Sequence, residues 1–136
     1  MTATPQLPQD APGERAGVRE RPVLVVADHA ITGELVESLV EASGRRPATP
    51  LPGEAVPDAI ARIAPELVLL DFDHHASRED APFQRARENG SRLVLFASGG
   101  DRRALERAGK QRGVGTCRLP IPHREFTAFL NRVLGR

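Results

Sequence analysis

The sequence predicts an α/β domain of the doubly wound kind, in which helices cover both faces of a parallel sheet. Pro65-Glu66-Leu67-Val68-Leu69-Leu70-Asp71 is an apolar run that ends on a carboxylate, and Pro22-Val23-Leu24-Val25-Val26-Ala27-Asp28 has the same form. Runs without polar alternation mark strands buried on both faces. The stretches between such runs carry apolar residues at helical spacing, so strand and helix alternate along the chain. In parallel sheets of this kind ligands bind outside the carboxyl ends of the strands, where Asp28 and Asp71 fall.

The elements follow in order. Residues 1–20 contain Pro5, Pro8 and Pro12, many polar residues and almost no aliphatics, so a flexible tail is expected there. The domain then runs over residues 21–136. Val23 to Val26 forms the first strand. Ile31 to Ala42 places Leu35, Val36, Leu39 and Val40 at helical spacing, and Ser43-Gly44 stops that helix. Arg46 to Pro52 holds three prolines, which remove ladder donors and restrict any strand to a sheet edge. Pro57 to Ala64 is the second helix, with Ala59, Ile60 and Ile63 inward. Leu67 to Leu70 is the next strand. Residues 79–89 make a short charged helix anchored by Phe83. Arg92 to Phe96 is the next strand, and Ser98-Gly99-Gly100-Asp101 is a loop. A basic helix spans Arg102 to Lys110, a weak strand spans Gly115 to Leu119, and an amphipathic helix spans Glu125 to Leu134. Five strand-then-helix units imply right-handed crossovers.

The bulk properties narrow the function. A chain of 136 residues is long enough to bury one core without staples. Its single cysteine, Cys117, excludes an internal disulfide framework and fits a reducing compartment. The N-terminus carries no apolar run, so neither a signal peptide nor a membrane span is expected, and the expected place is the cytoplasm. A net charge of +1 does not by itself point to nucleic acid or a membrane, and the absence of Trp and Tyr, with five Phe, leaves few platforms for stacking single-stranded bases. The one short basic helix lacks a helix-turn-helix frame.

Over residues 21–136 the chain resembles an atypical receiver domain, the module phosphorylated on aspartate in bacterial two-component signalling. The residues that carry the resemblance are Val23-Leu24-Val25-Val26-Ala27-Asp28, Pro65 to Asp71, Leu93-Val94-Leu95-Phe96-Ala97-Ser98 and Arg118-Leu119-Pro120. The resemblance implies a five-stranded flavodoxin-like sheet of strand order 2-1-3-4-5. It also implies a Mg²⁺ site built from an acidic pair after strand one, the strand-three aspartate and a backbone carbonyl two residues beyond it. By position, Asp71 matches the phosphoacceptor, Asp28 the second acid of the pair and Asp73 the backbone ligand. The first acid falls on Ala27, the strand-four hydroxyl on Ala97 with Ser98 adjacent, and the strand-five lysine on Leu119. Arg118 is next to that position but points the other way by strand alternation. The family pattern suggests a cis bond before Pro120, which the sequence alone leaves open.

These departures matter chemically. Mg²⁺ binds through oxygen ligands, so a site formed by Asp28, Asp71 and Asp73 without a donor at Ala27 is weak. Developing phosphoryl charge needs preplaced cations and donors, and Ala97 and Leu119 supply none. Two readings of Asp71 stand: a carboxylate that bonds local backbone N–H groups, or a weak phosphoacceptor in a phosphorelay.

Other constellations carry less. Asp73-His74-His75 spells the signature of the Asp-His-His phosphoesterases. Those enzymes need further acidic motifs and a second domain, so a small metal-dependent phosphoesterase is the remote alternative and a solvated loop the expectation. Adjacent His74 and His75 are expected to diverge on an extended segment. Cys117 reads as a small core residue, Ser98 lacks a nucleophile-elbow frame, and Gly109-Lys110 lacks P-loop spacing. No enzymatic activity is expected. Arg102, Arg103, Arg107 and Lys110, with Arg118, form a basic patch on the face that receivers commonly use for output. The expectation is therefore a stand-alone atypical receiver that works by protein contact without phosphorylation. Its partner would be a histidine kinase, another signalling protein or a second copy of the chain, not nucleic acid or a membrane.

Overall fold

The apolar runs become the inner strands of a parallel sheet. The computed structural model describes residues 21–135; the expected tail over residues 1–20 lies outside the described residues. The elements are β1 (Val23–Val26), α1 (Ala30–Ala42), β2 (Pro47–Ala48), α2 (Val56–Ile63), β3 (Leu67–Asp71), a 3-10 turn (His75–Arg78), α3 (Asp80–Glu88), β4 (Arg92–Ala97), α4 (Arg102–Arg112), β5 (Gly115–Arg118) and α5 (His123–Leu134). The sheet has the order β2-β1-β3-β4-β5, all parallel, as expected. Strand β2 is two residues long and sits at an edge, where Pro47 costs few ladder bonds.

Alternation splits the side chains of each inner strand between two cores. Leu24, Val26, Val68, Leu70 and Leu95 pack with Ile60 of α2, Phe83 of α3 and Leu105 of α4. Val23, Val25, Leu67, Leu69, Val94 and Phe96 pack on the other face with Val36 and Val40 of α1 and Phe126 and Leu130 of α5. Each fully buried Val, Leu or Phe stabilises the fold by about 1.5–3 kcal/mol. The register Val26↔Leu70 brings the ends of β1 and β3 level, which sets Asp28 beside Asp71.

Helix α1 is rotated from the expected face. Gly33, Val36 and Val40 are its buried residues, which leaves Leu35 45% exposed and Ile31 82% exposed. Leu35 stands about 100° from Val36 around the helix axis, so both cannot face the sheet. The glycine permits close approach: a Cβ on Gly33 would stand 3.4 Å from Ala27 Cβ. The seat of α4 is tighter still. A Cβ on Gly109 would fall 2.5 Å from Thr116 Cγ2 and 3.0 Å from the Val114 carbonyl oxygen. Helix α4 starts on Asp101, whose Oδ1 accepts the Arg103 N–H at 2.9 Å, and stops at Gly113 in the left-handed region.

Polar ties join α1 to α5. Ser43 and Thr127 hydroxyls are 2.8 Å apart, and Arg45 donates to Asn131 at 3.3 Å while pairing with Glu66 at 2.8 Å. His123 Nε2 lies 2.9 Å from the Ala42 carbonyl oxygen. Among the described residues, no helix is long and apolar enough to cross a membrane.

Candidate functional site at the carboxyl ends of the strands

Asp71 is the last residue of β3 and only 4% exposed. Its Oδ2 accepts the Asp28 N–H at 2.9 Å, and its Oδ1 accepts the Asp73 N–H at 2.9 Å. The second bond spans two residues, the local geometry expected of an aspartate at a loop start. The first bond joins the loop after β1 to the loop after β3. Both carboxylate oxygens of Asp71 are therefore engaged by backbone. The Asp28 side chain is itself turned outward, with His29 Nε2 at 3.4 Å, and Asp73 is exposed.

The segment after Asp73 is more ordered than a solvated loop. His74 Nδ1 accepts the Ala76 N–H at 3.0 Å and caps the 3-10 turn, while Ser77 Oγ donates to the Phe72 carbonyl at 2.7 Å. Ala76 and Ser77 are buried. The His74 and His75 rings do not diverge; their centroids are 4.4 Å apart with a tilt of 31°. The capping bond folds His74 back over the turn, which brings the two rings together.

Burial, and then the neighbouring His75, hold the His74 pKa below the ordinary value of 6.5, against the pull of Asp28, Asp71 and Glu79. The capping bond needs Nδ1 unprotonated, so both effects favour the neutral ring. With the folded pKa below the unfolded one, the unfolded chain binds more protons in between. This contribution to stability is complete above the unfolded pKa and is lost as pH falls through the folded one. Urea denaturation between about pH 7 and pH 5 should show stability falling with acid. His74→Asn, which can keep the cap, should flatten that fall.

The three positions that depart from the pattern the chain resembles carry apolar side chains in the structure. Ala97 is buried with Leu105 in the α2–α3–α4 core, and Ser98 is exposed beyond it. Leu119 is 3% exposed and packs with Phe126 and Leu130 in the other core, while its N–H donates to the Ala97 carbonyl at 2.8 Å. The Leu119–Pro120 bond is cis. Arg118 points outward as alternation requires, and donates to the Gly100 carbonyl oxygen at 3.3 Å. Ala27 packs against the same core as Leu119.

This residue set does not fit a tight Mg²⁺ site, which needs near-octahedral oxygen ligands. Ala27 offers no oxygen, and the Asp28 side chain is turned outward beside His29. Among the described residues, no three His, Cys, Asp or Glu side chains gather around a point where a metal could sit. The same holds for Asp71, Asp73, His74 and His75 as phosphoesterase ligands. Neither Lys nor Arg forms an ion pair with Asp28, Asp71 or Asp73 among the described residues.

No protein-family model and no curated protein matches the chain. Solved structures do. A response regulator receiver protein from Burkholderia phymatum superposes with a TM-score of 0.69 at 19% identity, over 85% of this chain and 96% of that one. The fold is that of a receiver domain. A response regulator from Thermotoga maritima is similar at a TM-score of 0.68 and 16% identity, over 86% of this chain and 99% of that one. The chemotaxis protein CheY4 of Vibrio cholerae is similar at 0.64 and 16% identity, over 85% of this chain and 99% of that one.

The basic patch lies away from Asp71 on α4. Arg103, Arg107 and Lys110 form an i, i+4, i+7 stripe opposite the buried Leu105 and Gly109, and Arg102 stands at its edge near Glu106. All four basic residues are exposed and make no ion pair among the described residues. Sequence reasoning named Asp28, Asp71, Asp73 and the basic residues of this helix as candidates. It missed the backbone N–H of Asp28 as the partner of Asp71, and it missed the His74 cap. The Asp71-x-Asp73 spacing was the available signal for the local half of that arrangement.

Proposed function

We propose that this chain is a receiver domain that signals through protein contacts without phosphorylation at Asp71. The observation that carries the reading is Leu119. The position that supplies a cation to the phosphoryl group in receivers is a leucine packed in the α1–α5 core. Ala27 and Ala97 remove two further polar groups, and phosphorylation would take an Asp71 oxygen that already accepts a backbone N–H. The α4 stripe, with Arg118, is the proposed partner surface, and an acidic face on a kinase, on another signalling protein or on a second copy of the chain would complement it. Burial pushes the Cys117 thiol up to about 11, so it is an unreactive core residue, and a chain with a single cysteine and no disulfide framework supports the reading of a cytoplasmic protein.

Two measurements test the reading. Intact mass after incubation with acetyl phosphate, under conditions that label an ordinary receiver, should show no adduct. A partner captured by the native protein should be captured equally by Asp71→Asn and lost by Arg103→Glu/Arg107→Glu/Lys110→Glu. An adduct that disappears in Asp71→Asn, together with loss of the partner, would establish the weak phosphoacceptor instead.

A further inference from the structure

A cavity of about 390 Å³ opens at the other end of the sheet from Asp71, between the amino ends of β4 and β5 and the last turns of α3, α4 and α5. Arg87, Arg92, Arg112 and Arg132 all line it. Helix ends account for part of this charge. Arg87, Arg112 and Arg132 stand in last turns, where a cation complements the carbonyl end of the dipole. Arg92 opens a strand and has no helix end to serve. Only one carboxylate, Asp80, pairs with any of the four among the described residues, and it pairs with Arg112. The cluster thus carries more positive charge than its surroundings offset.

The walls between the arginines are apolar. Phe83, Leu93, Val94 and Val114 contribute to them, and the Arg112 guanidinium is held over the Phe83 ring at 4.4 Å from its centroid. A guanidinium fixed in this way loses little further freedom when it binds an anion. The cavity is at the small end of the range for organic ligands, about 300–1,000 Å³. Clustered guanidiniums match phosphate oxygens in forked, charge-assisted hydrogen bonds. We propose that this cavity binds a small organic phosphate of mononucleotide size, with the phosphate on Arg87, Arg92 and Arg112 and the organic body on Phe83, Val94 and Val114. The site shares no residue with the Asp71 pocket or the α4 stripe, so its test is independent of the function proposed above.

The test is an amide NMR titration of the full chain at physiological ionic strength, with adenosine monophosphate in one arm and inorganic phosphate in the other. The monophosphate should move the amides of Leu93, Val94, Gly113 and Gly115 saturably. Inorganic phosphate should act on the same amides about tenfold more weakly, since it leaves the apolar wall uncovered. Arg87→Ala/Arg92→Ala should weaken monophosphate binding by about tenfold or more. Neither arginine makes an ion pair among the described residues, so the thermal midpoint of this variant should fall by no more than a few degrees, the cost of removing the Arg87 charge from the end of α3. No saturable movement, movement centred on Arg103 and Arg107, or movement unchanged in the double variant would overturn the assignment. Equal affinity for both ligands would overturn the role of the apolar wall.

Discussion

Asp71→Ala is expected to lower the free energy of unfolding by about 2–4 kcal/mol, because it strands two backbone donors at once. The Asp28 and Asp73 N–H groups both end on this carboxylate at 2.9 Å, and the carboxylate itself is buried. An acceptor on the surface with no such duty would cost under about 0.5 kcal/mol. Asp71→Asn should cost less than alanine, since its amide oxygen keeps one bond while its NH₂ faces the other donor. Urea unfolding followed by circular dichroism measures both, with an unchanged m-value confirming that the native state is the same. A cost near zero for alanine would mean that water replaces the carboxylate and that Asp71 is not the tie between the two loops.

Gly109→Ala is the second large effect, expected at about 2 kcal/mol of destabilisation. Alanine in a helix interior gains about 1 kcal/mol over glycine in propensity, so the variant would stabilise an unpacked helix. Here the new methyl would sit 2.5 Å from Thr116 Cγ2 and 3.0 Å from a backbone oxygen. A threonine methyl on a strand cannot swing clear without turning the whole side chain, and overpacking of this kind costs about 1–3 kcal/mol. Thr116→Ser removes the methyl in the way. The double variant should therefore recover more than half of the loss, a coupling that independent sites would not show. Full additivity would place the strain elsewhere.

The parts of the fold that were readable came from patterns short in sequence. Leu67 to Leu70 announced a central strand because burial on both faces leaves no polar alternation. Helix ends were less legible: α4 runs on through Gln111 and Arg112, whose polarity hid two residues of helix that Gly113 then stops. Leu35 was misplaced because an aliphatic pair at adjacent positions cannot say which member faces inward. The sheet decided for Val36 through the close fit at Gly33. In the candidate site, Asp71 and its spacing to Asp28 could be read, and so could Leu119. The His74 cap could not, since histidine carries no strong capping preference. The cationic cavity was equally invisible, because Arg87, Arg92, Arg112 and Arg132 meet only after four elements have packed.

The division of the core into two faces bears on how the chain matures during synthesis. The face that gathers Ile60, Phe83 and Leu105 is built from elements ending at Arg112. The other face needs Phe126 and Leu130, and the ties from Ser43 to Thr127 and from Arg45 to Asn131 bind the α1 end to α5, which is made later than every other element of the sheet's cover. A nascent chain therefore holds Val23, Val25, Leu67 and Leu69 half-covered until α5 has cleared the ribosome. Exposed aliphatic strands are what chaperones recognise and what aggregates form from. Helix α5 thus decides whether a sheet already covered on one side has its second core completed.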